Sequence, residues 1–531
     1  MSRTIIVSNR LPIKISNLDK SFEFSSTSGG LATGMNSIHE KKNFLWIGWP
    51  GIDEKSLSNN QLINAKKLLL EKNYIPVFLN KKEINDFYYG TSNEALWPLF
   101  HYFIEYSIFN KSHWKSYVEV NKKFASCVIE NAKKGDIVWI HDYQLLLCPK
   151  IIKNERPDLT VGFFLHIPFP SFEIFRIFPW REKLLEGILG ADLIGFHTYD
   201  YVRHFLSSVK RILRYNVVFN KIEVGSREVL VDTFPMGIDY LKFFNSAKQK
   251  LNQKKSEMSE LRVKLKDHKK VSADSKLILS IDRLDYTKGV INRIKAFEIF
   301  LTKFPEYRDK VRLVMLTVPS RSDVDDYKKL KKQTDEIVGR VNGKFASVNW
   351  TPIWYYYRTM NFDELIDLYT ISDIAMITPV RDGMNLVAKE FVATRVKGDG
   401  VLILSEMAGA SKELYESLTV NPFDLNDMSN VIFRAINMPE KEQIKRNKSM
   451  QARLSRYTVN YWANDFMKNL ISRGKSNLKS ITNIFDISEI NKLIDKLKLS
   501  SKKLIILDYD GTLVNFKDNP ELAIPDDNLI K

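Results

Sequence analysis

What most constrains this chain is a set of short apolar runs, rich in β-branched residues, that recur at helix-length intervals. Up to residue 240 they read TIIVSN, YIPVFL, DIVWIHD, TVGFFLHIPF, ADLIGFHT and EVLVDTFPMGID. Then come LILSIDRL, VRLVMLTVP, ASVNWTP, IAMITPV and GVLILSE. The runs are continuous, not alternating. A strand covered on both faces by helices needs apolar side chains on both, whereas a strand with one wet face alternates. Two such series predict an α/β chain with two doubly wound parallel-sheet domains. Residues 245–275 are polar, helical in composition and free of strand-like runs, so they join the halves. The expected units are 1–244, 245–472, a polar linker at 473–502, and a third unit over 503–531.

A formal charge of +17 asks for an anionic partner. The basic residues are mostly single lysines with no block of five or six, which favours solvated surface and phosphorylated small molecules over nucleic acid. Cys127 and Cys148 show no CxxC or metal-like spacing, so neither a disulfide framework nor a zinc site is expected. The start, MSRTIIVSNRLPIKIS, lacks a signal-peptide apolar core, and no apolar run reaches membrane-spanning length. The expected location is cytoplasmic.

In an open parallel sheet, chemistry collects at the C-terminal ends of strands. There the sequence places Asn9 and Arg10, His141 and Asp142, His166, Asp282 and Arg283, Arg321, and Arg381 and Asp382. Together they suggest one cleft between two facing sheets. Within SIDRLDYTKG, Arg283 and Lys288 stand five apart across a strand end and turn, suited to one diphosphate; an ordinary surface pair is the plainer reading. TPVRDGMNLVAKE combines a strand end, the Asp382-Gly383 turn and a helix start whose free N–H groups suit a phosphate. Glu390 follows within that helix, where a carboxylate can bridge ribose hydroxyls; a helix cap plus a surface Glu is the alternative. SGGLATG reads either as a phosphate-facing glycine turn or as tight packing. YYGTSNEALWP supplies Tyr88, Tyr89 and Trp97, for stacking on a sugar or for the core. Asp323 and Asp325 form a DxD, read as a helix's first turn and not as a metal site.

The ordered set VSNRLP, SGGLATG, WIGWPG, YYGTSNEALWPLFHY, VWIHDYQLLLCP, GFFLHIPFPSFEIFR, ADLIGFHTYDY, FPMGID, DRLDYTKG, NGKF, TPVRDGMNLVAKEFVA and LSEMAGASKEL resembles the trehalose-6-phosphate synthases. The resemblance runs from about residue 3 to about residue 470. It implies a GT-B fold, with two Rossmann-like domains around a cleft: acceptor-binding first, nucleotide-sugar-binding second, and a last helix crossing back. It implies glucose transfer from UDP-glucose to glucose-6-phosphate, retaining configuration, with no metal, no cofactor and no covalent intermediate. By position, Arg10, Tyr88, Trp97 and Arg321 match the acceptor-phosphate set, and Asp142 holds the acceptor sugar. Gly29 and Gly30 approach the donor; His166 and Asp382 hold its glucose hydroxyls. Arg283 and Lys288 take the diphosphate, Leu386 and Val387 offer backbone N–H groups, and Glu390 takes the ribose. The catalytic set is then Asp142, His166, Arg283, Lys288 and Asp382. No nucleic acid or membrane partner is implied, and homo-oligomer formation stays open. The alternatives are a synthase-like regulatory protein without activity, or part of a bifunctional synthase–phosphatase.

Near the end, KLIILDYDGTLVNF resembles the first motif of haloacid-dehalogenase-type phosphatases. There the residue matching Asp508 attacks phosphorus and the one matching Asp510 protonates the leaving oxygen. Nineteen residues follow Thr512, too few for the remaining motifs. The expectation is an inactive, truncated start of such a domain, with Asp508 and Asp510 exposed on a poorly supported strand.

Overall fold

The computed structural model describes residues 3–18, 21–26, 44–270, 275–321, 324–480 and 487–504, with short pieces beyond. It forms two compact units, Met1–Leu478 and Lys479–Lys531. The first holds two large sheets, one for each series of apolar runs.

Among the described residues the first sheet has nine strands. Their spatial order is Tyr74–Pro76, Phe44–Trp49, Thr4–Arg10, Ile137–His141, Thr160–Phe164, Leu193–Phe196, Arg227–Thr233, Lys221–Val224 and Val217–Val218. All neighbours are parallel except the last two pairs, which form an antiparallel edge. The second sheet is wholly parallel, in the order Ile353–Tyr357, Val311–Val318, Lys276–Arg283, Ile374–Ile377, Val401–Ser405, Leu418–Val420. Its inner strands are buried almost end to end, as the continuous apolar runs require.

Two strand readings shift. ASVNWTP makes only an isolated bridge between Ser347 and Trp350; the strand follows, at Ile353–Tyr357. Pro352 cannot donate to a ladder, and the aromatic run IWYYY after it suits a pleated, half-buried surface. The run FLWIGW, of which only WIGW stands above within a motif, pairs beside Thr4–Arg10.

A long helix, Val459–Ser480, lies on the first sheet. Its Trp462, Phe466 and Leu470 pack with Ile6, Trp139 and Phe164. Trp139 stacks on Phe466 at 4.6 Å and meets Trp462 at 5.2 Å. The helix continues past residue 473, where the sequence suggested a linker. Arg473 donates to the Glu228 carbonyl at 3.1 Å, and Asn477 donates to Asp192 at 2.9 Å. Side chains that read as solvated connector are satisfied by polar groups of the sheet.

In the second unit a helix spans Ile487–Leu499. Asp508 is exposed, and Lys503 and Leu504 belong to no strand. Asp510 and the rest of the expected strand lie outside the described residues. Among the described residues no helix is long and apolar enough to cross a membrane.

Candidate active site

The strand ends converge. Arg10, the last residue of its strand, is exposed and stands 4.5 Å over the Trp49 ring of the neighbouring strand. Tyr88 packs against the same ring, at 6.3 Å. Tyr88 belongs to an unusual element, a π-helix over Ile84–Leu96, in which each turn is wider by one residue. That helix ends as the Trp97 N–H donates to the Ser92 carbonyl. Trp97 is buried, and its ring receives Arg321 at 4.1 Å and Arg283 at 5.9 Å. Arg283 ends a strand of the second sheet, and Arg321 lies in the loop after the strand Val311–Val318 of the same sheet. Of the four residues matched to the acceptor phosphate, Arg10 and Tyr88 thus meet at Trp49, and Arg321 meets Trp97.

Arg321 is not a free cation. Its backbone is left-handed, with φ +47°. Its guanidinium donates to Asp285 at 3.2 Å, to the Tyr143 hydroxyl at 3.2 Å, and to the Tyr327 hydroxyl. Burial opposes its charge, but these oxygens hold its pKa above the ordinary range.

Asp142 follows the strand Ile137–His141 with φ +74° and ψ 170°, a region few non-glycine residues enter. Its N–H donates to the Phe164 carbonyl at 2.8 Å, and its carboxylate accepts from the His166 N–H at 3.2 Å. Burial pushes its pKa up to about 6, against hydrogen bonds from the backbone N–H groups of Tyr143 and His166 and the nearby Arg283 and Arg321. His166 contacts His141 ring to ring, Nε2 to Nδ1, at 3.1 Å. Burial brings His166 down to about 3 and His141 well below its usual value, so both are neutral at pH 7.

On the second sheet, Arg283 ends its strand, exposed. A turn at Tyr286–Lys288 follows, closed by Gly289 with φ +66°. A Cβ there would lie 2.4 Å from the Thr378 carbonyl, so only glycine lets this loop meet the neighbouring one. Lys288 Nζ donates to Asp382 Oδ2 at 2.6 Å. Asn385, with φ 72°, donates to the same oxygen at 3.0 Å, and its own side-chain oxygen caps the helix Leu386–Ala393 at the Ala388 N–H. The cap leaves the N–H groups of Leu386 and Val387 at the open helix start. Asp382 is pushed up by burial, but Lys288 and Asn385 hold it below the usual carboxylate range. Glu390 accepts from the Tyr369 hydroxyl at 2.7 Å, and burial raises its pKa. The halves touch at Gly383, where a Cβ would stand 2.1 Å from the His166 carbonyl. The Tyr201 hydroxyl donates to the Asp382 carbonyl at 3.1 Å.

Several placements differ from the strand-end reading. Asp282 is buried against Arg293 at 2.6 Å, as part of the scaffold. Arg381 stacks on Tyr102 at 3.8 Å. Gly29, Gly30 and Asp323 lie outside the described residues, and Asp325 sits in the first turn of the helix Asp325–Phe345. Among the described residues no group of three or more His, Cys, Asp or Glu is placed to hold a metal ion. Sequence reasoning missed Asp285, Tyr143, Tyr327 and Asn385. All but Tyr327 stand inside the quoted motifs, but their partners come from distant elements.

The Asp142 shift carries a prediction. A folded pKa above the ordinary value means that the ionised carboxylate opposes folding. That opposition is full above about pH 6 and fades as pH falls toward 4. Asp142→Asn is expected to raise unfolding free energy by about 1–3 kcal/mol at pH 8, with the gain gone near pH 4. Urea midpoints at the two pH values check it.

Two Rossmann-like sheets, facing across a cleft of cations and an open helix N-terminus, make this a GT-B glycosyltransferase fold. Residues 2–472 match the model of glycosyltransferase family 20, and the chain belongs to that family. It is 44% identical to the bifunctional trehalose-6-phosphate synthase/phosphatase of Thermoproteus tenax, over 100% of this chain and 72% of that protein. Among solved structures, a UDP-forming α,α-trehalose-phosphate synthase of Burkholderia xenovorans in complex with glucose-6-phosphate superposes with a TM-score of 0.77 at 30% identity, over 88% of this chain and 100% of that one. An Escherichia coli structure bound with UDP-2-fluoro glucose gives 0.77 at 31% identity, over 88% and 99%.

Proposed function

We propose that the chain transfers glucose from UDP-glucose to glucose-6-phosphate, releasing UDP and α,α-trehalose-6-phosphate with the donor's configuration retained. The observation that supports this reading is the gathering of cations on these elements: Arg10 over Trp49, Arg321 and Arg283 over Trp97, and Lys288 on Asp382, with the open start of the helix Leu386–Ala393 and the Asp142–His166 contact.

The acceptor's phosphate lies with the first set and its sugar against Asp142. The diphosphate meets Arg283, Lys288 and the N–H groups of Leu386 and Val387, while Glu390 takes the ribose. Gly29 and Gly30, outside the described residues, are matched to the donor by the family resemblance alone. Asp382 and neutral His166 hold donor hydroxyls. The carboxylates are engaged with Lys288, Asn385 and the His166 N–H, which supports positioning over attack on the anomeric carbon. The leaving β-phosphate then accepts the acceptor's proton on the same face as the bond forms. The protein's part is to orient two anions and stabilise leaving charge. Arg283 and Lys288 supply that charge, so the reaction proceeds without metal. A synthase-like protein without activity is the weaker reading, since every matched donor and acceptor residue is present.

The test is to incubate the protein with UDP-glucose and glucose-6-phosphate under a chelator and identify the product by NMR. Trehalose-6-phosphate with equimolar UDP is expected; absence of UDP release refutes the reading. A cytoplasmic location belongs to the same proposal. So does kinship of the segment around Asp508 with the opening motif of a haloacid-dehalogenase-type phosphatase, which a match to a bifunctional relative that runs over this segment supports.

A further inference from the structure

Asp285 lies between Arg283 and Lys288 and is fully buried. Both of its oxygens are committed, each to a different neighbour. Oδ1 accepts from the Thr287 N–H at 3.0 Å and the Thr287 hydroxyl at 2.8 Å, shaping the turn that presents Lys288. The Lys288 N–H closes that turn on the Asp285 carbonyl at 3.0 Å. Oδ2 accepts from Arg321 at 3.2 Å and from the Tyr327 hydroxyl at 2.9 Å. The Thr287 carbonyl in turn accepts from the Val380 N–H at 2.8 Å, on the loop that carries Asp382. One carboxylate thus touches the acceptor-phosphate arginine on one side and the diphosphate loop on the other.

We propose that Asp285 is a positioning residue that couples the two subsites, so that glucose-6-phosphate on Arg321 and diphosphate on Lys288 tighten each other's binding. The inference rests on the function proposed above. The physical cause is shared geometry: drawing Arg321 toward a phosphate moves its bonds to Oδ2, and the same rigid carboxylate sets the turn through Oδ1. A buried carboxylate with four donors has no slack to absorb the shift locally. Binding at either site orders groups the other needs, and such coupling is reciprocal.

Isothermal titration of the full chain tests this, measuring UDP affinity with and without saturating glucose-6-phosphate, and the reverse. In the wild type each ligand is expected to tighten the other by the same factor, about fivefold or more. Asp285→Asn is expected to bring that factor to within about twofold of unity, as its amide opposes one of the donors it replaces an acceptor for. Tyr327→Phe keeps the carboxylate and the Oδ1 side, and is expected to cut the factor at least in half, which keeps the proposal open to refutation if Asp285→Asn does not fold. An anchor that merely holds the loop would lower both affinities and leave the factor unchanged, and that result overturns the proposal. A wild type that binds both ligands independently overturns it too. A wild type that binds neither removes the functional reading itself.

Discussion

Lys288→Ala is expected to lower turnover by about 10²-fold or more, the cost of losing one preorganised donor to a developing charge. Lys288 is nearly buried and its ammonium already lies 2.6 Å from Asp382, so no reorganisation is needed to place it. A leaving diphosphate gains negative charge as the glycosidic bond breaks, and a fixed cation stabilises that state more than the bound donor. The loss should therefore fall on kcat more than on UDP affinity. A second effect comes with it. Removing the lysine leaves Asp382 buried beside Asn385 alone, and breaking one half of a buried pair is destabilising by several kcal/mol. Asp382→Asn in the Lys288→Ala background removes the stranded charge and is expected to recover stability but not rate. Arg283→Ala, on an exposed side chain, should lose rate on a similar scale without the stability loss. Steady-state kinetics beside urea titrations separate the two effects. Near-wild-type rates in either single variant would remove the diphosphate assignment.

These effects follow from a fold that was largely visible in the chain. Parallel strands buried on both faces must be apolar throughout, and their C-terminal ends must lie on one side of the sheet. The runs ending at Arg10 and His141 therefore point their last residues to one rim of the first sheet, and the run ending at Arg283 points its last residue to the corresponding rim of the second. What the runs do not encode is which end residue finds a partner. Asp282 stands at a strand end like Arg283, but it pairs with Arg293, which is inside the helix that follows. Nothing in the chain signals that Lys288 and Asp382 hold one another across 94 positions. A lone Asp in a turn, such as Asp285, usually caps a helix. It does cap one here, through Oδ1; Oδ2 is the half that reaches another element. The π-helix at Ile84–Leu96 had no signature either, since its apolar spacing resembles that of an ordinary helix. ASVNWTP failed for a local reason: Asn349 and Pro352 interrupt a run whose composition otherwise suits a strand.

Arg321→Ala is expected to raise the KM for glucose-6-phosphate by about 10²-fold, from the loss of one or two charge-assisted bonds worth about 1.5–3 kcal/mol each. A guanidinium has five N–H donors. Asp285, Tyr327 and Tyr143 take three, and the pair that remains is held in place by those same contacts and by the Trp97 ring. The arginine is thus a preoriented fork, and Arg321→Lys should not rescue it, since a lysine is a point charge on a flexible stem. Stranding Asp285 will depress kcat as well, so KM alone does not define the role. Acceptor comparison does. If Arg321 reads the phosphate, the variant's loss should be far smaller with unphosphorylated glucose, which never used that contact. An equal loss with both acceptors would mean that Arg321 serves only to hold Asp285 and its loop, and the acceptor-phosphate subsite would then rest on Arg10 and Tyr88 around Trp49.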